Sequence, residues 1–447
     1  MIDVLSTYPK IVVLPPGPKS RAIIKQYEAW GSPSLSRIYP LVVDSADGCI
    51  IRDADGNEFI DFSSGLGIMN VGHCHPKIVE AVKQQAERLT YYPSRAAYSE
   101  IPLSLSKELS AISPINSDKR IFYSNSGEEA IEAGIKTAMW HTHNHRVLAF
   151  LGAYHGSTLG ALSLAAVNTV QTRFFSTLLV VDHIPYPYCY RCVFKQSYPD
   201  CHYWCIDYID ELLSRNIPSE DVAAIVFEPI QERAGCIVPP PEYFQRLKKV
   251  AGNYGLLLVD DESHTSIGRT GRWFAIEDWK VKPDVLCLDG LLSSGLPLGV
   301  TIAAKEVMDW ESESHNSTLG GNPVVCAASL AVIDVVKSEH LLENSARQGN
   351  YVLRRLRELA EKYPIIGDVR GKGLMIGFEV VKDLKRREPG TANALEIVRK
   401  SFRRGVLTTV CGSSVVEITP PLGITQELLD RGLEIIESSI SEVAAER

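Results

Sequence analysis

The sequence predicts an α/β protein, with a mainly parallel central sheet flanked by helices and a smaller α+β domain beside it. Three observations point there. From about residue 75 to 330, short β-rich runs alternate with helical stretches. Those runs are near-continuously apolar over four to six residues, as in strands covered on both faces. From about residue 333 the pattern changes to a long amphipathic helix, paired strands and further helices.

Residues 1–62 read as an arm belonging to the smaller domain. It ends in VVDSADGCIIRDADGNEFIDFSSG, where Asp-Gly and Asn-Glu turns separate short alternating strands and suggest hairpins. Residues 63–332 form the expected large domain. Its strands read RIFYSNS, RVLAFLG, LLVVD, AAIVFEP, GLLLVDDE, VLCL and GVTIAA, with helices in EEAIEAGIKTAMWHTH and PEYFQRLKKVAGNYG between several of them. Residues 333–447 supply the rest of the smaller domain, with a helix in ENSARQGNYVLRRLRELAEKYP and paired strands in VRGKGLMIGFEVV. The last helix is expected to start near Thr425, a good N-cap, and carries Leu429, Leu433, Ile436 and Ile440 on one face.

Composition narrows the function classes. Hydrophobic residues at 45% and charged residues at 22% of 447 are ordinary for a globular enzyme, and the chain is long enough for two or three domains. The formal charge of −8 and the lack of a long basic run argue against nucleic acid or an anionic membrane as partner. No apolar stretch approaches the roughly 18 residues that span a bilayer, and the start of the chain lacks the basic-then-apolar layout of a signal peptide. The expectation is a cytoplasmic protein acting on a small molecule.

Ten cysteines are more than such a protein needs, and four fall in PYCYRCVFKQSYPDCHYWC. Cys189, Cys192, Cys201 and Cys205 are spaced C-x2-C-x8-C-x3-C, with His202 inside. Zinc or an iron–sulfur cluster, one or two disulfides, and reduced thiols in a loop all remain open, each with a structural role.

Ligands of open α/β sheets bind beyond the carboxyl ends of the strands. In YSNSGEEAIEAGIK a strand meets a Ser-Gly turn and a helix start, so Ser126 and the N–H groups around Gly127 and Glu128 favour a phosphate, or simply cap the helix. In GAYHGSTLGALS, Tyr154 and His155 follow a strand, and the aromatic either stacks on a ligand ring or packs at the surface. LLLVDDESHT ends a strand in three carboxylates, one able to pair with a ring nitrogen unless the turn is merely solvated. In VLCLDGLLSSGLPLG the only ionisable side chains are Cys287 and Asp289, with no lysine.

Taken together, these motifs resemble the class-III aminotransferases, the group of fold-type-I pyridoxal-phosphate-dependent transferases that handles 4-aminobutyrate, ornithine and related amines. The matching pieces are DADGNEFIDFSSGLGIMNVGHCHPKIVEAV, NSGEEAIEAGIK, GAYHGSTLGALSL, EPIQERAGCIVPPPEY, DDESHTSIGRTG, GLPLG, HNSTLGGNPVVCAASLAVID and DVRGKGLMIGFEVVKD, spanning about residues 35 to 435. The cysteine segment resembles one found in an archaeal branch of the family. The resemblance implies the fold, pyridoxal 5'-phosphate and a homodimer. It places Ser126 and Gly127 at the phosphate, with Glu128 beside them, and brings Thr318 to the phosphate from the other subunit. Tyr154 is implied on the pyridine ring with His155 beside it, and Asp261 at the ring nitrogen, where it makes the ring an electron sink.

Several positions depart from the family pattern. Gly290 stands where the family has the lysine that forms the internal aldimine and shuttles the proton, between Asp289 and Leu291 where small residues are usual. Glu417 replaces the arginine that grips a substrate carboxylate. Ser263, His264, Glu232 and Arg233 also differ from it. Glu417 is expected near Glu228, raising the pKa of one of them, or paired with Arg233. Without a positioned base, worth roughly 10²–10⁴-fold, amino transfer should be crippled.

The expected function is therefore a homologue that binds pyridoxal phosphate non-covalently and has lost or altered transamination, in one form as the partner of a lysine-bearing homologue. Two alternatives are carried. One is an active, diverged aminotransferase or racemase acting on 4-aminobutyrate, ornithine or another amino acid, with His264, His155 or a lysine from elsewhere as base. The other is a binder of a different phosphorylated ligand.

Overall fold

A computed structural model describes residues 8–167, 169–175 and 177–446. The chain forms two compact units, one of residues Met1–Pro76 with Glu339–Arg447 and the other of Lys77–Ser338.

The larger unit is built on a seven-stranded sheet. In spatial order its strands are Lys119–Ser124, Gly299–Ala304, Val285–Leu288, Leu257–Asp261, Val222–Phe227, Arg146–Phe150 and Val180–Ile184. Gly299–Ala304 runs antiparallel to both neighbours, and the remaining pairs are parallel. Every residue of Val222–Phe227, Val285–Leu288 and Gly299–Ala304 is buried, which is why these strands read as unbroken apolar runs.

The helix Gly127–Thr142 lies directly on this sheet. A β-carbon at Gly134 would stand 2.8 Å from Cys287 Sγ and 3.3 Å from Val259 and Val285 Cγ1, so glycine there sets the close approach. Thr301 Oγ1 donates to the Ala130 carbonyl at 2.8 Å from below. The parallel register places Phe227 opposite Asp260, and Asp261 opposite Cys287. The ends of three adjacent strands thereby deliver Glu228, Asp261 and Asp289 to one edge of the sheet.

The smaller unit contains the expected hairpins, Val43–Asp47, Ile50–Asp53 and Glu58–Asp61, extended in parallel by Val406–Leu407. Ile51, Phe59, Phe402 and Leu407 form a core beneath them, with Phe59 and Phe402 stacked at 5.4 Å. A second, antiparallel sheet holds Ile366–Lys372, Met375–Asp383, Val415–Ile418 and Thr409–Cys411. The last helix runs Gln426–Ala445; Thr425 caps it, accepting from the Leu428 N–H at 3.4 Å, and Leu429, Leu433, Ile436 and Ile440 are buried as their spacing predicts.

The arm also holds a helix, Pro18–Trp30, that its sequence does not announce. Only Ser20 in it is buried, and its first-turn N–H groups at Lys19 and Ser20 donate to the Asp55 carboxylate at 2.8 and 2.9 Å. A cap supplied from residue 55 leaves no signature of its own, and only Pro18 at the first position and Gly31 after the last mark the helix locally. Among the described residues, no helix is long and apolar enough to cross a membrane.

Candidate functional site

Asp261 closes its strand with its carboxylate buried. Oδ2 lies 2.6 Å from His155 Nδ1, and Oδ1 accepts from the Ser263 N–H at 3.0 Å. Burial pushes this carboxyl up, but the His155 hydrogen bond and charge, with the Ser263 bonds, outweigh it and leave Asp261 below its ordinary range.

Glu228, at the end of the neighbouring strand, behaves in the opposite way. Burial, then the charges of Asp261 and Glu232, drive its pKa well up, against a 3.3 Å hydrogen bond from the Tyr154 N–H. The like charges acting on Glu228 are thus supplied by its own unit. Arg233 pairs with Glu232 at 3.4 Å, and its guanidinium lies 5.2 Å from the centre of the Tyr154 ring. The ring expected to stack on a ligand is therefore engaged by a cation, while its hydroxyl meets Ser157 Oγ at 2.9 Å.

At the other end of the site, Ser126 is the N-cap of the helix Gly127–Thr142, its Oγ accepting from the Glu129 N–H at 3.3 Å. Glu129 reaches back to the Asn125 N–H at 2.9 Å. This is a close variant of a capping box, and the Ser-x-x-Glu spacing in NSGEE was the signal for it. The Gly127 N–H donates to Asp289 Oδ1 at 2.9 Å. Glu128 Oε2 accepts from the Ser157 N–H at 2.7 Å, tying the loop after Tyr154 to the helix start. His264 is half-buried, and its charge together with the Gly290 and Gly127 N–H groups pulls the Asp289 carboxyl down, although burial prevails and leaves it raised.

These residues do not fit a phosphate in the way the sequence suggested. The Gly127 N–H of the expected cup is held by the Asp289 carboxylate, and the nearby Ser157 N–H by that of Glu128. A phosphate there would face Asp289 at contact, where each pair of unit charges costs about 4 kcal/mol at 4 Å and an effective dielectric near 20.

Gly290 opens the single turn Gly290–Ser293 directly after Val285–Leu288 and is buried. Its carbonyl accepts from the Gly295 N–H at 3.0 Å. Between Lys282 and Lys305 the chain contains no lysine. Thr318 is exposed, with its carbonyl accepting from the Tyr91 hydroxyl at 2.7 Å; the adjacent Ser317 Oγ accepts from Asn125 Nδ2 at 2.9 Å. Glu417 belongs to the smaller unit, where it is buried and accepts from Thr409 Oγ1 at 2.9 Å.

Cys189, Cys192, Cys201 and Cys205 line one small cavity with Tyr186, Tyr203 and Pro240. None of them is in a disulfide. The zinc expectation finds no support: among the described residues no three His, Cys, Asp or Glu side chains are placed to hold a metal. Burial, followed by the three neighbouring cysteines, pushes the Cys205 thiol up to about 12.

Comparison with known proteins bears on the whole chain. The alanine/serine racemase of Pyrococcus horikoshii is 40% identical over 98% of this chain and 94% of its own length. The leucine/methionine racemase of Thermococcus litoralis is 39% identical over 92% and 93%. An amine transaminase from an uncultivated Pseudomonas species, solved in its PLP-bound internal aldimine form, superimposes with a TM-score of 0.85 at 30% identity, covering 93% of this chain and 98% of its own. The family model for aminotransferase class-III matches residues 32–440, nearly the same span that the sequence motifs occupy. The chain belongs to the class-III aminotransferases.

Proposed function

We propose that this chain is a class-III aminotransferase relative whose own site does not transfer amino groups, and that the site keeps a capacity to recognise a small amine or amino acid. One observation carries the reading. The corner following Val285–Leu288 presents Asp289 and Gly290, and no lysine lies between Lys282 and Lys305. A lysine amine at this corner would supply a covalent anchor for a carbonyl compound and a base for the substrate α-proton; a hydrogen at Gly290 supplies neither.

The remaining groups suit recognition. Asp261, held ionised by His155, offers a carboxylate to an ammonium group. Glu228, whose carboxyl is pushed well up by burial beside Asp261, offers a polar group with less tendency to ionise, and Arg233 offers a cation to a carboxylate. The exposed Thr318 and Leu319 suit a contact between two copies, or with a lysine-bearing homologue.

A second reading, an active amino-acid racemase or aminotransferase, is favoured by the relatives described as alanine/serine and leucine/methionine racemases. The two separate in one experiment. The purified chain is incubated in D2O with pyridoxal phosphate and alanine, serine, leucine, methionine, ornithine or 4-aminobutyrate, and followed by proton NMR and chiral chromatography. The expected result is no α-deuteration, inversion or amino transfer above a protein-free control. Protein-dependent turnover of any of them overturns the first reading in favour of the second.

A further inference from the structure

The start of the helix Gly127–Thr142 offers two notches made by glycines, and both are filled from within the chain. At Gly127, a β-carbon would stand 2.7 Å from Asp289 Cγ and 2.9 Å from Oδ2, so the glycine is what lets the carboxylate reach the N–H. At Gly156, where φ is +131°, a β-carbon would stand 2.3 Å from Glu128 Cβ and 2.7 Å from its Oε2. The two carboxylates take the Gly127 N–H at 2.9 Å and the Ser157 N–H at 2.7 Å. Anion-accepting geometry is thus present, and each notch already has its anion.

The environment fits a resident charge. A helix N-terminus carries about half a positive charge and favours an anion within its first turn. Asp289 reaches that position from the strand Val285–Leu288, at a distance of 162 positions in sequence from Gly127, so the contact is part of the packing of helix on sheet. His264 adds a stabilising interaction with the same carboxylate.

We infer that Asp289, assisted by Glu128, is the internal anion of this helix terminus, and that it makes the site selective for unphosphorylated ligands by excluding phosphate monoesters. A phosphate would have to displace a tethered carboxylate from the N–H it needs, and then remain beside that carboxylate and Glu128. A ligand without the phosphate meets neither obstacle and still has Asp261 and Glu228 to bind. The inference stands on the filled notches and does not require loss of turnover: a chain found to turn over amino acids without a phosphate anchor would leave it intact.

The test is a set of binding titrations on the intact chain and on Asp289→Ala, Asp289→Asn, Glu128→Thr and the Asp289→Ala/Glu128→Thr pair. Each is titrated with pyridoxal phosphate, pyridoxal and inorganic phosphate at neutral pH, using absorbance for the aldehydes and calorimetry for phosphate. The unaltered chain is expected to show no saturable phosphate or pyridoxal-phosphate binding below millimolar concentration. The paired variant should bind pyridoxal phosphate roughly 100-fold more tightly, the order expected from removing like charge at contact in a partly screened site. Pyridoxal affinity should change little. Asp289→Asn keeps the side-chain shape and so tests charge in a protein whose folding is undisturbed; it should gain part of the effect. Micromolar pyridoxal-phosphate binding by the unaltered chain overturns the inference. So does a folded set of variants, checked by circular dichroism, whose phosphate affinity equals that of the unaltered chain.

Discussion

At the Asp261 end of the site a buried carboxylate is matched by a buried imidazole 2.6 Å away, which holds the carboxyl below its ordinary range. At the Asp289 end a carboxylate of similar size is matched by backbone N–H groups and a helix terminus. The family resemblance implies Asp261 at a ring nitrogen and His155 beside Tyr154; the pairing of the two with each other is visible only in the structure. The second arrangement puts an acid where the resemblance implies a small neighbour of a lysine, and where a ligand's phosphate would supply the charge. The difference is where the anion comes from: a fold can keep an anion-binding turn intact while one strand-end residue changes what that turn binds.

The sharpest way to break the comparison is at the Asp261 end. Asp261→Ala leaves His155, whose Nε2 is already buried without a hydrogen-bond partner among the described residues, with neither nitrogen matched. Removing one member of a buried pair costs about 3–5 kcal/mol. Urea unfolding at pH 7 should show that loss in the transition of the larger unit, with Asp261→Asn recovering part of it through the retained hydrogen bond. A loss below about 1 kcal/mol would mean that the pair is not the anchor of this end.

The Asp289 end should respond less in stability. Gly127 has an ordinary backbone conformation, so Gly127→Ala tests the notch alone, with the new methyl directed at Asp289 Cγ. Overpacking of this kind costs about 1–3 kcal/mol. Asp289→Ala in the same chain should relieve most of that cost, and additive effects of the two changes would show that the side chain does not occupy the notch.

The smallest effect lies behind the site. Burial pushes Glu262 up to about 7, against hydrogen bonds from Thr265 and the Ile276 N–H, and burial with the Glu262 charge drives Asp260 well up as well. Between about pH 4.3, the ordinary glutamate value, and pH 7 the folded chain holds a proton that the unfolded chain has released. Stability is therefore full below that window, falls as pH rises through it and levels off above. Glu262→Gln should flatten the decline in melting temperature between pH 5 and 7, which corresponds to about 1.4 kcal/mol for each pH unit within the window. An unaltered slope would assign it to Asp260.

Much of the frame is legible in the sequence. The apolar runs at residues 222–227, 285–288 and 299–304 announce buried strands because a strand covered on both faces has no polar side to interrupt it. Thr425 and the spacing of Leu429, Leu433, Ile436 and Ile440 announce the last helix for an equally local reason. The helix Pro18–Trp30 escaped notice because its cap comes from Asp55. The four clustered cysteines left zinc, disulfides and thiols open, since spacing says nothing about whether four sulfurs surround one point.

The candidate site divides in the same way. Sequence alone determined which residue types stand at the strand ends: Glu228, Asp261, and Asp289 with Gly290 in a stretch that has no lysine. Only the tertiary structure decided what those residues do to one another. Asp261 is held below its ordinary range because it meets His155, while burial and the Asp261 charge push Glu228 well above its own. Asp289 reaches Gly127 because the sheet register and the close-packed helix bring positions 162 residues apart to 2.9 Å. Charge in a buried site depends on neighbours within a few ångströms, and in a parallel sheet those neighbours come from distant parts of the chain.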